Sequence, residues 1–118
     1  MTQFYALINH STGVQEVEAT EMPTMKELQN LVGISGDEYA FFEGVYKRYS
    51  DPSIAILCDD NFLSKACQPT LLTPDGTTLQ GQLVIVALDN QIEDFCLLTQ
   101  KQLEIVKKES KVYPLRPR

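Results

Sequence analysis

Gln3–Asn9 is a β-prone run, and Ser11, Thr12 and Gly13 after it carry turn chemistry. Val14–Ala19 reads as a second strand, so the chain predicts an opening hairpin. The period then changes. Met25, Leu28, Leu31 and Val32 recur at helical spacing, which predicts a helix with one buried face. Thr24 fits its N-cap, Glu27 three residues on completes a capping box, and Gly33 fits the left-handed residue that stops it.

Glu38–Phe42 and Val45–Tyr49 read as two strands of a hairpin turning at Glu43 and Gly44. Ser53–Cys58 is a short apolar strand ended by Asp59, Asp60 and Asn61. A less regular stretch extends to Thr73, where Pro74, Asp75 and Gly76 predict a turn. Leu83–Leu88 is the most apolar run and predicts a central strand buried on both faces. Thr99 then caps a second helix, with Gln102 as capping-box partner and Leu98 and Leu103 as a hydrophobic staple. Leu103, Ile105 and Val106 supply its apolar stripe, and Pro114 and Pro117 exclude a helix beyond it. Helices are too few for a βαβ series. The expected fold class is therefore α+β, a mostly antiparallel β-sheet with two helices, one after the first hairpin and one near the C-terminus. Residues 1–110 read as a single domain and 111–118 as a basic C-terminal tail.

Composition narrows the setting. The 118 residues fit one domain, and 43% hydrophobic residues suffice for one core without a disulfide framework. No apolar run reaches the length of a membrane span, and Met1-Thr2-Gln3-Phe4 lacks signal-peptide features, so no membrane association is expected. Cys58, Cys67 and Cys96 are odd in number and widely spaced, which suits the reducing cytoplasm of a cell. The net charge of −6 hides an asymmetry. Lys101, Lys107, Lys108, Lys111, Arg116 and Arg118 face only Glu104 and Glu109 in the last segment, which leaves the body strongly acidic. Such polarity marks either an anion-binding end or a last helix whose dipole and solvated face favour cations. An acidic body repels a phosphate backbone, so nucleic acid is not an expected partner.

No catalytic constellation emerges. His10 is the sole histidine, at the edge of a turn, and no C-x-x-C spacing provides a zinc or redox pair. Asp59, Asp60 and Asn61 are consecutive and read as a strand-ending turn rather than an alternating cation loop. Gly33-Ile34-Ser35-Gly36 matches neither a dinucleotide fingerprint nor a P-loop. No cofactor and no metal are called for. Recognition chemistry is better represented. Tyr46, Lys47, Arg48 and Tyr49 interleave cations with aromatics, and strand alternation would set Tyr46 and Arg48 on one face. Arg48 could grip a phosphate while Tyr46 stacks a base, although a charged edge strand has the same composition. Arg116 and Arg118 would clamp a ligand if the tail packs over a groove, or belong to a frayed terminus. Asn61 can read a sugar or base, and Phe95 can stack or sit in the core. Thr99, at a helix N-terminus, lies where phosphate is favoured.

Several segments together carry a resemblance. Thr24–Gly33 is similar to the "LKELQELVGG" helix of a family of short phage and bacterial proteins of uncharacterised function. Ala55–Asn61 matches that family's short strand ending in acidic and Asn residues, Gly81–Val86 its "G-x-V-V-I-V" strand, and Asp94–Thr99 its "D-F-x-x-L-T" lead into a helix. The same outline resembles the phage anti-Thoeris sponge proteins. That resemblance implies an antiparallel sheet with two helices, assembled as a homo-oligomer in the cytoplasm of a bacterial host. It also implies sequestration of a cyclic nucleotide signal, glycosylated cyclic ADP-ribose and in some members cyclic oligonucleotides, without degradation. No site motif of those proteins is matched residue by residue. Tyr46, Arg48, Asn61, Phe95, Thr99, Arg116 and Arg118 are therefore nominated as ligand-binding from chemistry alone. The alternative is an acidic protein-binding inhibitor acting as a nucleic-acid mimic, and an enzyme such as a cyclic-nucleotide phosphodiesterase stands third.

Overall fold

The computed structural model describes residues 2–9, 13–32, 42–59 and 69–113. Strands β1 (Gln3–Asn9) and β2 (Gly13–Ala19) pair antiparallel from Gln3 opposite Ala19 to Asn9 opposite Gly13. Phe4, Ala6 and Ile8 of β1 are buried on one side, while Tyr5 and Leu7 on the other are half-buried. Outer strand β2 exposes Gln15, Glu16 and Glu18, and the carboxylates of Glu16 and Glu18 discourage pairing along its open side. Helix α1 (Met25–Val32) begins at the capping box: Glu27 N–H donates to Thr24 Oγ1 at 3.2 Å, and Thr24 N–H donates to Glu27 Oε1 at 3.5 Å. Leu28 and Val32 are buried beneath it, but Met25 is 62% exposed, so the buried face is shorter than its apolar spacing predicted.

β3 (Phe42–Tyr46) pairs with β4 (Ile54–Asp59), β4 with β7 (Leu83–Asp89), and β7 with β1 and with β8 (Asp94–Cys96). The order β2-β1-β7-β4-β3, with β8 on β7, makes a six-stranded antiparallel sheet. β5 (Pro69–Leu72), β6 (Thr78–Gln80) and β9 (Lys111–Val112) form a second sheet in the order β6-β5-β9. Helix α2 (Gln100–Glu109) starts at Thr99 with the full capping box expected, and both staple residues, Leu98 and Leu103, are fully buried. The architecture is α+β, with α1 after the first hairpin and α2 near the C-terminus.

The core lies on both faces of the larger sheet. On one, Ala6, Ile8, Ile56 and Ile85 meet Leu103 and Val106 of α2 and Leu71 and Leu79 of the second sheet. On the other, Ala55, Leu57, Val84 and Val86 meet Leu28 and Val32 of α1. Leu83 to Ala87 are all buried, as a strand covered on both faces requires.

Several expectations are corrected. No turn forms at Glu43 and Gly44. The chain runs straight through them as β3, with Glu43 opposite Cys58 and Gly44 opposite Leu57. The reversal comes later, where Lys47 takes a left-handed φ of 60°. The proposed strand over residues 38–41 lies outside the described residues, as does the predicted stop at Gly33. The stretch before Thr73 contains β5, and β6 and β8 are further short strands, each of three residues. Short strands bury too few side chains to print a period on the sequence. The Pro74–Gly76 turn does form between β5 and β6, with Gly76 at φ 90°.

The tail is also partly folded. Lys111 and Val112 pair with Leu72 and Leu71, and Tyr113 N–H donates to Thr70 O at 2.8 Å. Truncation after Ser110 should therefore destabilise the protein, by about 1–3 kcal/mol for two or three ladder bonds and the half-buried Val112. A melting temperature equal to that of the full chain would show that β9 contributes nothing.

Candidate functional site

Register builds the site. Tyr46 at the end of β3 sits opposite Ala55, Ala55 opposite Val86, and Phe95 of β8 opposite Leu88. Directly opposite residues share a face, so Tyr46 and Phe95 project from the same side of the sheet as Val86 and Leu88. The ring centroids of Tyr46 and Phe95 lie 6.5 Å apart with planes 11° from parallel. Such pairs contribute roughly 0.5–1.5 kcal/mol beyond simple burial. Phe95 is half-buried and packs on the α1-side core, whereas Tyr46 is 41% exposed. One ring anchors the stack and the other meets solvent.

Of the other nominated residues that are described, Arg48 and Thr99 do not join it. Tyr46 and Arg48 were expected on one face, but the left-handed turn at Lys47 breaks the alternation. Arg48 instead reaches the β5–β6 turn and pairs with Asp75 at 2.8 Å, both side chains well exposed. A pair so exposed is weak. Arg48 Nε is buried without a hydrogen-bond partner among the described residues. Hydrogen bonds from the Thr73 hydroxyl and from Thr77, with Arg48 adding to them, hold the Asp75 carboxyl below its usual range. Thr99 spends its side chain on the cap, accepting from Gln102 N–H at 3.2 Å. It does line a cleft of about 410 Å³ with Thr2, Gln3, Gln100 and Lys101, at the first turn of α2. Asn61, Arg116 and Arg118 lie outside the described residues, as do His10 and Cys67.

A larger cleft lies elsewhere on the surface. About 790 Å³ opens between β2 and the start of α1, lined by Tyr5, Glu18, Glu21, Met22 and Glu27 among others. Among the described residues three carboxylates and no cation line it, so despite its size it is a poor receptor for phosphate. Those glutamates lie on a strand, a connection and a helix, and nothing in their spacing announces that they meet.

The 47–53 connection is strapped to both ends of α2. Tyr49 Oη and Ser110 Oγ are 2.7 Å apart, Ser50 N–H donates to Glu109 at 2.8 Å, and Gln102 Nε2 donates to Ser53 Oγ at 3.0 Å. Burial pushes the Tyr49 hydroxyl up to about 12, so it stays protonated at neutral pH. Burial also raises the Cys96 thiol, and Asp89 and Asp94 raise it further, which disfavours a thiolate there. Cys58 is buried in the core. Among the described residues no cluster of His, Cys, Asp and Glu could hold a metal ion, and no helix is long and apolar enough to cross a membrane. The chain matches no family model, no curated protein and no solved structure.

Proposed function

We propose that this protein binds a nucleotide-derived signal of the cyclic ADP-ribose type, glycosylated cyclic ADP-ribose first among them, and sequesters it unchanged. The observation that carries this reading is the Tyr46–Phe95 stack on the sheet face, with one ring anchored and the other open. An adenine ring stacking on Tyr46 would gain ~1–3 kcal/mol, and such stacking needs no catalytic group. Lys47, exposed beside Tyr46, supplies the nearest cation in sequence for a diphosphate.

The test is recovery. Protein incubated with glycosylated cyclic ADP-ribose and then denatured should return the intact molecule at the stoichiometry bound. Hydrolysed product would favour a phosphodiesterase instead. Homo-oligomerisation belongs to this reading, because among the described residues β3 ends the six-stranded sheet and symmetric association commonly covers such an edge. Light scattering at micromolar concentration should show more than a monomer, and a strict monomer would remove this part. The carboxylate-lined cleft supports a second reading, an acidic inhibitor that occupies a basic protein surface.

A further inference from the structure

Gly44 lies two residues before Tyr46 on β3, on the same face of the sheet. A glycine inside a strand weakens it and commonly marks a close approach by another group. Here that group is identified. A Cβ on Gly44 would lie 2.7 Å from Tyr46 Cζ, 3.3 Å from its Cε2 and closer still to its Oη, and these are its three nearest contacts. The phenol therefore folds back along its own strand and occupies the space that a side chain at position 44 would fill. From that position its ring lies nearly parallel to Phe95.

We infer that Gly44 is a positioning residue for the aromatic platform, its missing side chain being the slot that holds Tyr46 flat and stacked on Phe95; as a statement about ligand binding this rests on the reading above. Any larger residue would expel the ring from the slot. The expelled atoms are the far end of a flexible side chain, so Gly44→Ala should keep the fold and lose the stack. A ring that rotates freely presents no fixed face to an incoming base.

The experiment has two readouts. In the ligand-free protein, NMR of tyrosine ring protons reports the ring-current shift that Phe95 imposes on Tyr46, assigned by its loss in Phe95→Leu. Gly44→Ala should move these resonances to their Phe95→Leu positions, and resonances that stay at wild-type values would overturn the inference. Titration with ADP-ribose then forms a double-mutant cycle. Gly44→Ala should weaken binding about tenfold in the wild-type background, a loss within the range of one base–aromatic stack, and not at all in Tyr46→Ala. Equal losses in both backgrounds would also overturn the inference. If Gly44→Ala does not fold, the Gly44→Ala, Tyr46→Ala double variant should, because the atoms the new Cβ meets are then gone. Failure of both to fold would contradict the slot. A wild type that ignores ADP-ribose while Gly44→Ala still unstacks Tyr46 would sink the binding reading and leave the slot standing.

Discussion

Replacing Tyr46 by alanine is expected to weaken binding of glycosylated cyclic ADP-ribose about tenfold or more, with little change in melting temperature. The two halves of that expectation come from different surfaces of one residue. Tyr46 is 41% exposed and ends its strand, so truncation leaves no sealed cavity. It forfeits the ring pair with Phe95, worth roughly 0.5–1.5 kcal/mol, part of which water restores to the open side. Binding loses more, because a base stacked on the phenol contributes ~1–3 kcal/mol and 1.4 kcal/mol is tenfold. Phe95→Leu should produce a smaller loss, since leucine preserves the half-buried anchor but not the parallel plane. Calorimetry on the three proteins checks the order wild type, Phe95→Leu, Tyr46→Ala. Unchanged affinity in Tyr46→Ala would remove the platform from the site.

Ile85→Ala is expected to cost about 2–5 kcal/mol, the usual range for a fully buried isoleucine cut back to alanine. Ile85 is on the central strand, opposite Ala6 on one side and Ile56 on the other. Its side chain lies within the core that joins the large sheet to α2 and to the second sheet. Neither neighbouring strand can shift into the space without breaking its own ladder, so the void should persist. Against a total stability of roughly 5–15 kcal/mol, the loss should lower the melting temperature by on the order of 10 °C. Ile92→Ala is the matched control: that side chain is 67% exposed and its removal should change stability by less than about 0.5 kcal/mol. Urea unfolding that gives the two variants equal midpoints would contradict the placement of β7 at the centre.

The parts of this fold that can be read from sequence are those where local chemistry and burial agree. Leu83–Leu88 is apolar throughout because β7 is covered on both faces. The two caps are legible because Thr24 with Glu27 and Thr99 with Gln102 satisfy amides that every helix start leaves open. Gly44 misleads for a physical reason. Its glycine reads as a turn, whereas the structure uses it to make room for Tyr46 inside a strand. β9 escapes notice because its two residues are held by β5, forty positions earlier, and not by any local pattern. At the site, Tyr46 and Phe95 are recognisable one at a time as stacking residues. Their meeting depends on the register of four strands, which no single segment encodes. Arg48 fails as their partner because one left-handed residue, Lys47, redirects it to Asp75.

The most direct test of the central claim is calorimetric titration of the wild-type protein with glycosylated cyclic ADP-ribose at physiological salt. The account predicts saturable binding at micromolar or lower concentration, corresponding to at least about 8 kcal/mol, with no slow heat from turnover after each injection. Absence of saturation at millimolar ligand would contradict it and turn attention to the acidic cleft and a basic protein partner.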